Sequence, residues 1–183
     1  TYYFDDISMG GVVMPMLALP LGFEDAALTY AFTDFGGATT TVIDNPDASG
    51  SNTSAKVAHL NKGNGAEGWA GSFIQLDEAI DFNNKGTFQM DVWSPKSGIT
   101  VKLKVENSAN PDINYEVDVL TTTSNTWETL TWDFSAIDAA QVFDRVVVFF
   151  DFGTPGDGSD YYFDNLQVLA GEDPGDAGLL LLP

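Results

Sequence analysis

The chain has no cysteine, one histidine and one arginine among its 183 residues. Without cysteine there is no disulfide and no thiolate to bind a metal or act as a nucleophile. The single histidine, His59, sits between Val57 and Leu60 and reads as a surface or edge residue of a strand, not a general base. No Ser–His–Asp arrangement can be drawn, and a lyase that brings Arg, His and Tyr together is improbable with one of each of the first two. A non-enzyme is the expectation. Seven basic residues face 27 acidic ones, a net charge of −20. Phosphate recognition needs clustered Lys and Arg, so nucleic acid is excluded as a partner, and strongly anionic polymers are disfavoured. There is no run of 18 apolar residues, so membrane insertion is not expected. The stretch GGVVMPMLALPLGF is apolar but broken by prolines and lacks a basic start, so it reads as linker plus first strand and not as a signal peptide. The acidic balance fits a secreted or cell-surface protein.

What fills the chain is strand. Alternating apolar and polar residues, rich in β-branched and aromatic types, recur between Gly, Asn, Asp, Ser and Pro clusters. Strands are predicted at Leu19–Glu24, Leu28–Asp34, Ala38–Ile43, Ala55–Asn61, Trp69–Gln75, Gly86–Ser94, Ile99–Asn107, Ile113–Leu120, Trp127–Phe134, Arg145–Phe152 and Tyr161–Val168. One short turn of helix is expected within Ala136–Val142. So many strands in roughly 150 residues indicate an all-β fold, a two-sheet antiparallel β-sandwich of jelly-roll type.

Period-two alternation assigns faces. Phe88, Met90 and Val92 form one set, with Gln89, Asp91 and Trp93 opposite. Val101, Leu103 and Val105 point inward, Lys102, Lys104 and Glu106 outward. Val146, Val148, Phe150 and Phe152 point inward, Val147, Phe149 and Asp151 outward. One solvated sheet face is therefore expected to carry Trp69, Trp93, two lysines and several carboxylates together. Trp132 alternates with Leu130 and Phe134 and is predicted to be core; Trp127, at a strand start, fits either place.

A short motif occurs twice. YYFDD at Tyr2–Asp6 matches YYFDN at Tyr161–Asn165, and LALP at Leu17–Pro20 is echoed by LLLP at Leu180–Pro183. The simplest reading is one unit of a tandem array. Residues 1–16 would be the last strand of a preceding repeat plus linker, 17–170 the complete domain, and 171–183 a linker and the start of the next repeat. Tyr2–Met9 is expected to form a strand, as its twin does, and Asp5 to lack a complete site of its own.

These residues resemble a family. Gly22-Phe23-Glu24, the loop Ser49-Gly50-x-Asn52-x-Ser54 and the closing Tyr162-Phe163-Asp164-Asn165-Leu166 look like the jelly-roll carbohydrate-binding modules of the family 4, 9, 16 and 22 type. Trp69-Ala70-Gly71, Val92–Lys96 (VWSPK) and Leu103–Asn107 (LKVEN) resemble modules repeated in glycan-utilisation proteins of marine Bacteroidetes. The resemblance spans nearly the whole unit. It implies a structural calcium tying first strand to last, with Gly22 (carbonyl), Glu24, Ser49, Asn52 and Asp164 as ligands and Asp25 and Asp47 as weaker candidates. Calcium takes six to eight oxygens from carboxylates and carbonyls, and an acid inside a last strand is otherwise out of place.

The resemblance also implies sugar binding. Sugar rings present flat C–H faces that stack on Trp, and their hydroxyls pair with polar side chains. Trp69 and Trp93 are the stacking candidates, and Gln89, Asp91, Lys102, Lys104, Glu106 and Asp151 the hydrogen-bonding ones. The lysines have a plainer alternative role, pairing with Glu106, Glu116 or Asp118 across strands. The expected partners are a polysaccharide and neighbouring modules of the same polypeptide. The acidic balance favours a neutral β-glucan, with laminarin suggested by the marine resemblance. Alginate is the second choice and requires Lys102 and Lys104 to face the ligand. The competing reading is a calcium-stabilised, adhesin-like spacer without a sugar site.

Overall fold

A computed structural model describes residues 15–83 and 85–170. The expectations for Tyr2–Met9, Asp5 and the 171–183 linker lie outside these residues. Among the described residues there are ten strands: β1 (Phe32–Phe35), β2 (Ala38–Asp44), β3 (Lys56–Lys62), β4 (Gly71–Gln75), β5 (Lys85–Trp93), β6 (Thr100–Asn107), β7 (Asn110–Leu120), β8 (Trp127–Asp133), β9 (Arg145–Phe149) and β10 (Ser159–Ala170). They form two five-stranded sheets, ordered β1-β4-β9-β6-β7 and β2-β3-β10-β5-β8. Every pairing is antiparallel, and among the described residues there is no helix. The all-β sandwich expected from the sequence is what forms.

Alternation explains the core. Phe88, Met90 and Val92 of β5 are fully buried, as are Val101, Leu103 and Val105 of β6, and they meet Val146, Val148 and Phe150 between the sheets. Trp132 of β8 is also fully buried. Its indole N–H crosses the sandwich to the Val101 carbonyl on β6 at 3.1 Å, so it satisfies a polar group while filling the centre.

Three sequence expectations are corrected. Leu19–Glu24 is not a strand; Leu21 alone pairs, exchanging two 2.9 Å backbone hydrogen bonds with Leu166. Pro20 offers no N–H, and Phe23 at φ 55° turns the chain away from the sheet edge. Ala136–Val142 forms isolated turns, Ile137 N–H to Phe134 and Gln141 N–H to Asp138, instead of a helical turn. β9 stops at Phe149 rather than Phe152, because Asp151 adopts φ 48°. That left-handed residue breaks the alternation and brings Phe152 to the outer side.

Trp132→Ala is expected to cost about 3–5 kcal/mol, chiefly from the cavity left between the sheets. Urea denaturation followed by circular dichroism measures it; a loss below about 1 kcal/mol would show that the tryptophan does not hold the sheets together.

Candidate functional site

The outer face of the β1-β4-β9-β6-β7 sheet carries a shallow cleft of about 420 Å³, walled by Phe35, Trp69, Phe73, Phe149 and Phe152 and floored by Val147, with Lys104 and Glu106 along one side. Strand register builds it. Phe73, Val147 and Lys104 are cross-strand neighbours on β4, β9 and β6, as are Gln75, Arg145 and Glu106 one step along. Trp69, just before β4, is 53% exposed, while most aromatic side chains here are core. Its ring lies nearly parallel to Phe35 (6.1 Å, 14°). Phe35 then meets Phe149 at 5.5 Å and Phe149 meets Phe152 at 5.4 Å, both edge-on. Gly71 lies beneath this run. A Cβ there would come within 2.8 Å of the Phe149 ring and 3.1 Å of Phe35, so a glycine is what lets the two rings close over the strand.

The charged groups on this face are mutually engaged. Lys102 sits 4.3 Å over the Phe152 ring and pairs with Glu116 at 2.5 Å and Asp118 at 3.4 Å. Burial alone would lower its pKa, but the hydrogen bond and charge of Glu116, with Asp118, outweigh burial and hold it above the usual lysine range. Lys104 pairs with Glu106 at 2.9 Å. Arg145 lies 4.1 Å over Phe73 and reaches Glu106 at 3.3 Å. Three cations and three carboxylates thus balance on one face of a strongly acidic protein.

Beneath the rim lies Lys62, 1% exposed. Its Nζ donates to the carbonyls of Asp151 (2.8 Å), Phe150 (3.1 Å) and Gly68 (3.3 Å). The sequence reading passed it over, although alternation with Ala58 and Leu60 points it inward.

The expected single face divides in two. Trp69, Lys102, Lys104 and Glu106 share the cleft sheet, but Trp93, Gln89 and Asp91 are on β5, on the outer face of the other sheet. There the Trp93 indole N–H donates to Asp47 at 3.2 Å and its ring meets Tyr162 edge-on. Gln89 accepts from Gln167 at 3.1 Å, and Asp91 from Thr129 at 2.6 Å and Asn165 at 2.8 Å. Asp151, expected to face the ligand, is buried and accepts from Lys96 at 3.1 Å. Trp127 is buried, its N–H on the Asp47 carbonyl. Phe35, Phe73, Phe149, Phe152 and Arg145 are the cleft residues not named from sequence. Alternation had turned Phe149 outward, but Phe152 was hidden by the left-handed Asp151.

The residues proposed for calcium lie around β10. Asp164 is fully buried; one carboxylate oxygen accepts from Asn52 at 2.8 Å and the other, Oδ1, has no hydrogen-bond partner. Burial raises its pKa. Asn52 is bridged to Ser49, and Gly22 lies against Asn165 and next to the Leu21–Leu166 pairing. Glu24 accepts the Lys56 backbone N–H at 2.8 Å. Among the described residues no three carboxylate or histidine side chains cluster to hold a metal, so any donor set here is one buried carboxylate completed by amide and carbonyl oxygens. The unpartnered Oδ1 fits a cation.

No protein-family model matches the chain, and no curated protein matches it. Solved structures do. A family 11 carbohydrate-binding module from Clostridium thermocellum, in complex with a β-1,3-1,4-mixed-linked tetrasaccharide, aligns with a TM-score of 0.58 at 13% identity, over 85% of this chain and 95% of that one. A family 29 carbohydrate-binding module aligns with a TM-score of 0.50 at 20% identity, over 78% and 82%. An exo-β-agarase aligns with a TM-score of 0.60 at 7% identity, over 87% of this chain but 26% of its own. What these matches share with the chain is the β-sandwich fold.

A raised carboxylate pKa stabilises the fold at pH below it, and that stability is lost as pH rises through it. In EDTA, Asp164→Asn is therefore expected to melt at a higher temperature than the parent, with a gap that widens from pH 4 to pH 7. A pH-independent gap in thermal melts would show that Asp164 does not carry this penalty.

Proposed function

We propose that the chain is a non-catalytic carbohydrate-binding module that docks a secreted or cell-surface, multidomain protein on a polysaccharide, through the aromatic cleft of the β1-β4-β9-β6-β7 sheet. The observation that carries this is Trp69, exposed at the cleft rim in near-parallel contact with Phe35. An aromatic surface of this extent, left open to solvent and edged by polar groups, suits the C–H face of a sugar ring with hydroxyls directed to its sides. The similarity to family 11 and family 29 modules supports the same reading.

A neutral β-glucan is the favoured ligand, with laminarin the first to test. Lys102, Lys104 and Arg145 are each paired with carboxylates, so the face presents no surplus positive charge to a uronate polymer such as alginate. The ion pairs offer hydrogen-bonding atoms to hydroxyls instead. Individual sites with Kd of about 0.1–1 mM suffice if modules repeat along one polypeptide, since linkage raises the effective concentration. The module also takes a structural calcium at Asp164, with Asn52, Ser49, Gly22 and Glu24 nearby. The support is the buried, unpartnered Asp164 Oδ1.

Titration calorimetry against laminarin, mixed-linkage β-glucan and alginate tests the reading. Trp69→Ala is expected to abolish binding of a neutral glucan with a stability change within about 0.5 kcal/mol, and Trp93→Ala to leave affinity unchanged. Binding that survives Trp69→Ala and disappears with Trp93→Ala would move the site to the opposite sheet. Absence of heat with every glycan, together with a large fall in melting temperature in EDTA, would favour the spacer reading.

A further inference from the structure

Two of the cleft's aromatic residues, Trp69 and Phe152, stand on separate loops, 63–70 before β4 and 150–158 after β9, while Phe35, Phe73 and Phe149 are held by strands. The two loops meet directly: the Gly153 N–H donates to the Gly68 carbonyl at 2.9 Å. That same carbonyl accepts from Lys62 Nζ, as do those of Phe150 and Asp151 from the other loop. Further stitches run from Gly65 N–H to Gly156, Gly156 N–H to Ala66 and Gly158 N–H to Lys62. A Cβ at Gly68 would lie 3.2 Å from the Gly153 carbonyl carbon, so a side chain there would press the two loops apart by a few tenths of an ångström.

We infer that Lys62 is a positioning residue of the glycan site: its buried ammonium fastens Gly68, next to Trp69, to Phe150 and Asp151, next to Phe152, and so sets where these two loop-borne aromatics stand relative to one another. The inference rests on the reading of this cleft as the sugar site. Three carbonyls around one cation reproduce what a metal ion does when it ties two loops, with the cation supplied covalently by β3. Burial lowers the Lys62 pKa, opposed by Asp151, so the ammonium is held at a desolvation cost that an apolar residue would not incur. That cost is offset where the charge is used, at the three carbonyls. Lys62 does not touch the ligand; it acts through Trp69 and Phe152.

Lys62→Met and Lys62→Gln test this by glycan titration and by amide hydrogen exchange. The Ala70, Phe152 and Gly153 amides donate to Glu67, Thr100 and Gly68, so their exchange reports the two loops. In Lys62→Met these three are expected to exchange at least about tenfold faster while Leu103 and Val148, at the sheet centre, keep their protection. Affinity for the glucan that the parent binds is expected to fall about tenfold or more. Uniform acceleration of all amides, or unchanged exchange and affinity in a folded variant, overturns the inference. The exchange readout stands whether or not any glucan binds, so failure of the sugar reading is seen separately, as an inert parent protein. If both variants fail to fold, native-state exchange of the parent in low urea decides: Ala70, Phe152 and Gly153 opening as one unit supports the link, and independent opening contradicts it.

Discussion

Strand alternation over a sealed core is the constraint from which the cleft follows. Val101, Leu103 and Val105 on β6 and Val146 and Val148 on β9 are buried between the sheets. With a side-chain period of two, Lys102, Lys104, Glu106, Val147 and Phe149 then have to face outward. Burial of each inward aliphatic is worth about 1.5–3 kcal/mol, and several act together along each strand. Register is therefore set from inside, and the arrangement of the outer face is its consequence. A one-residue slip would exchange the apolar set for lysines and carboxylates, so the core defends the site.

Two departures from regularity turn that solvated face into a cleft. Gly71 removes a side chain where Phe35 and Phe149 converge. Asp151, in the left-handed region, ends β9 and redirects Phe152 to the outside, where it covers Lys102. Asp151 also supplies one of the carbonyls gathered by Lys62. The irregular backbone and the buried cation thus occupy the same place, which is where a fold tolerates strain when neighbouring contacts hold it.

Much of this was legible in the sequence. The strand pattern and the facing of β5, β6 and most of β9 follow from alternation, as does the burial of Trp132. Trp69 is a solvent-facing aromatic, as one reading of its strand allowed. Alternation says inward or outward, however, and not which sheet. Trp69 and Trp93 both point outward but from opposite sides of the sandwich, because β4 joins β9 and β6 while β5 joins β10 and β8. That assignment depends on long-range pairing, which local pattern does not encode. Phe152 was misplaced because a left-handed aspartate carries no local signature. Lys62 was missed because a lysine at an inward position looks like an error in the pattern until its three carbonyl partners are known.

An NMR titration of the isotope-labelled protein with a β-1,3-gluco-oligosaccharide and a mixed-linkage one most directly tests the location of the site. Perturbation of the Trp69 indole and of the Phe149, Phe152 and Lys104 amides, with the Trp93 indole and the Gln89 and Asp91 amides unmoved, is the result expected of a ligand on the β1-β4-β9-β6-β7 face. Perturbation centred on Trp93, Gln89 and Asp91, with Trp69 silent, would contradict it.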